Sequence, residues 1–180
     1  MKTRSITTVF WAGLLLILSW WAETALGQEV AAASRLARVE GPTYLAQTGD
    51  TAWQPVSNNT LLLAGDSIFV GPGGASEIVL RPGAHLRLAQ NTSVSLLERS
   101  PDQTRFSVNI GIVALALRRA MPGLGVTASS PDGNMRLDGP GLFRLEVSDA
   151  GTRLVVRRGG VALATLAATG ASQVVAAGHG

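Results

Sequence analysis

The sequence predicts an all-β fold, β-solenoid-like or a two-sheet sandwich of roughly ten to thirteen short strands, plus an N-terminal signal helix. Three observations predict it. From Leu36 onward, apolar residues alternate with polar ones in short runs, the period of a strand with one buried face. Clusters of Gly, Pro, Asn and Asp, drawn from 21 glycines and 8 prolines, interrupt these runs at strand-like intervals. Beyond the N-terminal segment no stretch holds a helical period over an ordinary helix length. An apolar fraction of 46% against 15% charged residues suits a packed core and excludes a disordered chain.

Residues 1–27 read as a signal peptide. Lys2 and Arg4 give a positive start, Val9 to Ala22 is apolar apart from Ser19, and Ala25-Leu26-Gly27 places small residues where a signal peptidase acts. Cleavage is expected before Gln28, leaving a periplasmic or secreted protein. An uncleaved segment, with Trp20-Trp21 at the interface, would make it membrane-anchored with its domain still outside. The expected organisation continues with a short linker at 28–35, a β domain at 36–177 and a tail at 178–180. With no cysteine, the chain has no disulfides and no thiolate chemistry even in an oxidising compartment.

Within the β domain, Ile68 and Val70 precede the turn Gly71-Pro72-Gly73-Gly74. Ile78 and Leu80 lead to Arg81-Pro82-Gly83, and Leu86 and Leu88 then Val94 and Leu96 follow with the same parity. Phe106, Val108 and Ile110 continue it. After Gly111 the parity flips to Val113, Leu115 and Leu117, as a turn or bulge there would produce. The stretch from Ile112 to Ala120 ends at Met121-Pro122-Gly123 and reads as strand. Later strands are expected at Phe143 to Val147, Leu154 to Arg157, Val161 to Thr165 and Gln173 to Ala176. Ile68, Leu80, Leu88, Leu96, Leu145 and Val156 should point inward. The equal spacings Gly65 to Gly83 and Gly141 to Gly159 fit either a weak internal repeat or coincidence.

Charge excludes a nucleic-acid binder. Without residues 1–27 the balance is 13 arginines against 11 acidic side chains, scattered and without interleaved aromatics. Catalytic groupings are missing too. The two histidines, His85 and His179, form no metal-ligand pattern, and a Ser–His–Asp triad would need His85 as base without a Gly-x-Ser-x-Gly elbow. Glu77 and Glu146 fall on polar parity, where a solvated face accounts for them. Gly71-Pro72-Gly73-Gly74 lacks the Lys-Ser/Thr ending of a phosphate loop. Asp102 and Asp132-Gly133-Asn134 read as turns. No catalytic, cofactor-binding or metal residues are expected.

The most ordered constellation is Trp53, then Leu62-Leu63-Ala64-Gly65-Asp66, Gly73-Gly74-Ala75 and Gly83-Ala84-His85-Leu86. Gly139 to Leu145 and Val155 to Val161 follow it. This pattern resembles the FecR domain family, over roughly Leu36 to Ala177. On the residues themselves, Gly65 suits a tight turn, Asp66 suits capping backbone N–H groups there, and Trp53 suits a large apolar plug. Only a handful of residues precede the apolar N-terminal run, whereas such regulators usually place a cytoplasmic anti-sigma segment there. The resemblance therefore implies a stand-alone, non-enzymatic extracytoplasmic module without transcriptional output of its own. Its expected partner is another envelope protein, met through a strand edge or a sheet face. The alternative is a polysaccharide- or cell-wall-binding domain or enzyme. Of Tyr44, Trp53, Phe69, Phe106 and Phe143, Phe69 lies on polar parity and would be its exposed platform.

Overall fold

The computed structural model describes residues 33–119 and 125–178. The expected signal peptide and His179 lie outside them. Among the described residues there are thirteen strands. The first eight are β1 (Ser34–Glu40), β2 (Thr43–Ala46), β3 (Gln54–Pro55), β4 (Leu61–Leu62), β5 (Ser67–Val70), β6 (Ala75–Arg81), β7 (Ala84–Leu88) and β8 (Thr92–Arg99). They are followed by β9 (Gln103–Leu117), β10 (Gly125–Ser130), β11 (Gly133–Ser148), β12 (Gly151–Leu166) and β13 (Ser172–Ala176). The all-β expectation holds. β1 begins inside the expected linker, and the Ser34 hydroxyl is buried, donating to Leu80 O at 3.1 Å.

The strands are not all short. β9 has 15 residues and β11 and β12 have 16 each. The expected break between Leu154–Arg157 and Val161–Thr165 is a bend inside β12. Each long strand bends at glycine: Gly111 in β9, Gly139 and Gly141 around Pro140 in β11, and Gly159-Gly160 in β12. Gly111, Gly139, Gly159 and Gly160 have φ of +100°, +78°, +54° and +66°, a region that side-chain-bearing residues avoid. Before its bend β9 pairs with β8 and β10; after it, with β7 and β11. The bends fold one hydrogen-bonded sheet into two layers.

The first layer runs β3-β2-β5-β8-β9-β10-β11-β12-β13, and the second runs β4-β1-β6-β7-β9-β11-β12, with the long strands shared. Side chains from both meet between them. The buried hydroxyls of Thr43 (β2) and Ser76 (β6) lie 2.8 Å apart. Arg81 Nε (β6) donates to Thr104 Oγ1 (β9) at 3.0 Å, and Arg99 Nε (β8) to Leu80 O (β6) at 2.8 Å. β9 and β10 pair in parallel, which demands a crossover between them. The second half of β9, lying in the other layer, forms part of that crossover.

The core is one continuous cluster. Ile68, Leu80, Leu88, Leu96, Leu145 and Val156 all point inward, none more than 5% exposed. Each contributes about 1.5–3 kcal/mol relative to exposure. The parity flips, but before Gly111: Phe106 and Val108 are buried, Ile110, expected on their face, is 45% exposed beyond a bulge at Asn109, and Val113, Leu115 and Leu117 are buried after it. The equal glycine spacings are coincidental. Gly65 precedes β5, Gly83 turns the β6–β7 hairpin, and Gly141 faces Gly159 across β11 and β12.

Candidate functional site

The turn before β5 is built around Asp66. Gly65 has φ +94°, and the buried Asp66 carboxylate accepts Leu63 N–H at 2.9 Å and Thr48 N–H at 3.1 Å. That is the expected architectural role. Trp53 does not plug the core. It is 48% exposed and reaches across β2 to the Phe69 ring on β5, edge-on at a centroid distance of 6.2 Å. Its position just before the two-residue edge strand β3 leaves it nothing to be buried under. Phe69, expected as the exposed platform, is half-buried and braces the indole instead.

On the outer face of the second layer, Glu77 (β6) accepts from Arg87 Nε at 2.8 Å and lies 2.9 Å from His85 Nδ1, both on β7. The Arg87 hydrogen bond, with that of His85 behind it, holds the Glu77 carboxyl below its usual range despite some opposing desolvation. Glu77 is thus a paired group, not the freely solvated one expected. The hairpin alone carried the signal, since centring it on Pro82 sets Glu77 opposite Arg87. The ring's described hydrogen bond is to this carboxylate, with no hydroxyl partner among the described residues, so a nucleophile–base pair at His85 has no geometry behind it. Glu146 is likewise lowered by its Arg144 hydrogen bond.

Beside His85 and Arg87 lies an open groove of about 550 Å³. Ala116 forms part of its wall with Leu142, Arg118 and Arg158, and no carboxylate lines it. Among the described residues Arg118 and Arg158 make no ion pair. No cluster of three or more His, Cys, Asp or Glu occurs among the described residues.

The outer face of the first layer has a different chemistry, invisible in the sequence. Successive register pairs align Ser67, Ser95, Ser107, Ser129, Asn134, Thr165 and Ser172 in one row across seven strands. Hydrogen bonds brace it: Ser67–Ser95 at 2.8 Å, Ser129–Asn134 at 2.7 Å and Thr165–Ser172 at 3.0 Å. Asn109 ties the middle by donating to Ser95 at 3.2 Å and accepting from Ser107 at 3.0 Å. Tyr44 and Phe69 are direct cross-strand neighbours at the β2–β5 end.

The layer ends at β13, which pairs with β12 alone among the described strands. Val174 is 65% exposed there and faces Leu163, itself 40% exposed, with Val161 and Leu166 also open.

No family model matches the chain, and no curated protein does. Two crystal structures, each described as of a "putative anti-sigma factor" from Parabacteroides distasonis ATCC 8503, are similar in fold, each with a TM-score of 0.53. Identity is 14% in one and 15% in the other, and the match covers 62% of this chain. It spans about half, 51%, of each of those chains.

Proposed function

We propose that this chain is a non-enzymatic, extracytoplasmic interaction module of the FecR type in the bacterial envelope. The motif residues around Trp53, Gly65-Asp66 and Gly83 support the family, as does a fold like that of a protein described as a "putative anti-sigma factor". The observation that carries the reading is the edge strand β13. An edge unpaired among the described strands and flanked by exposed Val174 and Leu163 presents backbone groups for an added strand together with apolar side chains to seat it. The partner in this reading is another envelope protein. No nucleic acid or cofactor takes part, and the membrane is involved only where the signal segment is retained.

The test is a photocrosslinking residue at Gln173 in the full chain, used on the envelope fraction of the native host. One reproducible protein, crosslinked at β13 and lost in Val174→Lys, is the expected result. Capture that is equal in wild type and Val174→Lys, or no capture, overturns it. Intact mass of the recovered chain checks processing, with Gln28 as the expected first residue.

A further inference from the structure

We propose that the outer face of the first layer binds an uncharged polysaccharide strand, with Trp53 as its stacking platform. Its aromatic head, at β2, β3 and β5, lies at the opposite end of the layer from β13, where the track finishes at Ser172.

Three observations carry the assignment. The first is the row from Ser67 to Ser172. Its six strand-to-strand steps, at about 4.8 Å each, make a track about 29 Å long. Hydroxyl and amide groups both donate and accept, which matches sugar hydroxyls that do the same. Mutual hydrogen bonds hold the track in place yet leave each serine oxygen capacity for one more partner.

The second is neutrality. The ionisable side chains bordering the track are paired with one another: Arg105 with Glu98 at 3.6 Å and Arg136 with Asp138 at 3.2 Å. The opposite layer instead carries a groove with three arginines and no carboxylate. An anionic polymer would be drawn to that groove, and a neutral one has no reason to prefer it. The charge match of the serine face is therefore to an uncharged ligand.

The third is the aromatic end. Trp53 keeps about half its surface open while Phe69 meets it edge-on at 67°, fixing the ring's orientation before any ligand arrives. A pre-set ring loses little conformational entropy on binding. Tyr44 sits beside Phe69 on the same face. A stacking ring at the head of a hydroxyl track is what a sugar chain, with apolar C–H faces and polar edges, requires.

The test uses the full chain with Trp11→Phe, Trp20→Phe and Trp21→Phe, which leaves Trp53 as the single indole of the four tryptophans. It is titrated with chitohexaose and cellohexaose, with polygalacturonate as the charged comparison. We expect a saturable change in indole emission with at least one neutral hexaose. By calorimetry Trp53→Ala should weaken binding at least tenfold, and Ser95→Ala/Asn109→Ala severalfold. Trp53→Ala should leave crosslinking at Gln173 unchanged, which separates the aromatic head of this site from the proposed protein edge. Trp53 is half-exposed, so its loss spares the fold, and Trp53→Phe should retain part of the affinity. No saturable response to either hexaose, unchanged affinity in Trp53→Ala, or tighter binding of polygalacturonate would overturn the proposal.

Discussion

Gly111 meets Thr92 backbone to backbone at the bend of β9: a methyl group on Gly111 would lie 2.5 Å from the Thr92 Cα. Just past the bend, Thr92 Oγ1 accepts the Ile112 N–H at 3.0 Å, so one residue both crowds the corner and satisfies it. Everything downstream depends on this corner, because it carries Val113, Leu115 and Leu117 into the second layer.

Gly111→Ala therefore combines strain at φ +100° with a clash against backbone that cannot rotate away. The expected loss is about 3 kcal/mol. That corresponds to a fall of roughly 6–12 °C in thermal midpoint. Gly49→Ala is the comparison. Gly49 has φ +80° but open space around its Cα, so it carries strain alone and should lose about 1 kcal/mol. Equal losses at the two sites would show that the Thr92 contact does not matter.

What the sequence made legible was local. Ile68, Leu80 and Leu88 were readable as core because a strand's period fixes which face each residue takes, and a flip in that period was readable near Gly111, whereas its seat at Asn109, which leaves Ile110 outside, needed the pairing with β8. Gly139-Pro140-Gly141 and Gly159-Gly160 look like ordinary turns, and nothing local distinguishes a turn from a bend in a continuous strand. The serine track needed register between strands far apart in sequence, such as Ser107 with Ser129. Trp53 misled for another reason. A large indole in a motif reads as core, and its exposure follows from how short β3 is, a fact of the tertiary edge.

Asp66 tests whether the conspicuous turn motif is architecture. Its two carboxylate oxygens serve separate backbone donors, Thr48 N–H and Leu63 N–H, and its side chain is buried. Asp66→Ala strands both donors and should cost about 3 kcal/mol, read as a lower urea midpoint at unchanged slope. Asp66→Asn keeps one acceptor oxygen and should lose about half as much. Trp53→Ala, by contrast, should cost less than about 1 kcal/mol, since half of the ring is already in water. A Trp53→Ala loss as large as that of Asp66→Ala would return the indole to the core.

The paired carboxylate at Glu77 gives the fold a pH dependence with a definite sign. Arg87, then His85, favours its ionised form, so its folded pKa lies below the ordinary value of 4.5. A carboxyl depressed on folding stabilises the protein above its unfolded pKa and loses that contribution as pH falls through the folded value. Glu77→Gln should therefore lower stability at pH 7, by about 1 kcal/mol because Arg87 is well exposed and its attraction is screened. The gap between variant and wild type should hold down to about pH 5, then narrow as the wild-type carboxyl protonates and both chains carry a neutral group at this position. Urea unfolding of the two proteins from pH 7 to pH 3 measures it. A gap that stays constant across that range would mean that Glu77 acts through packing and not through its charge.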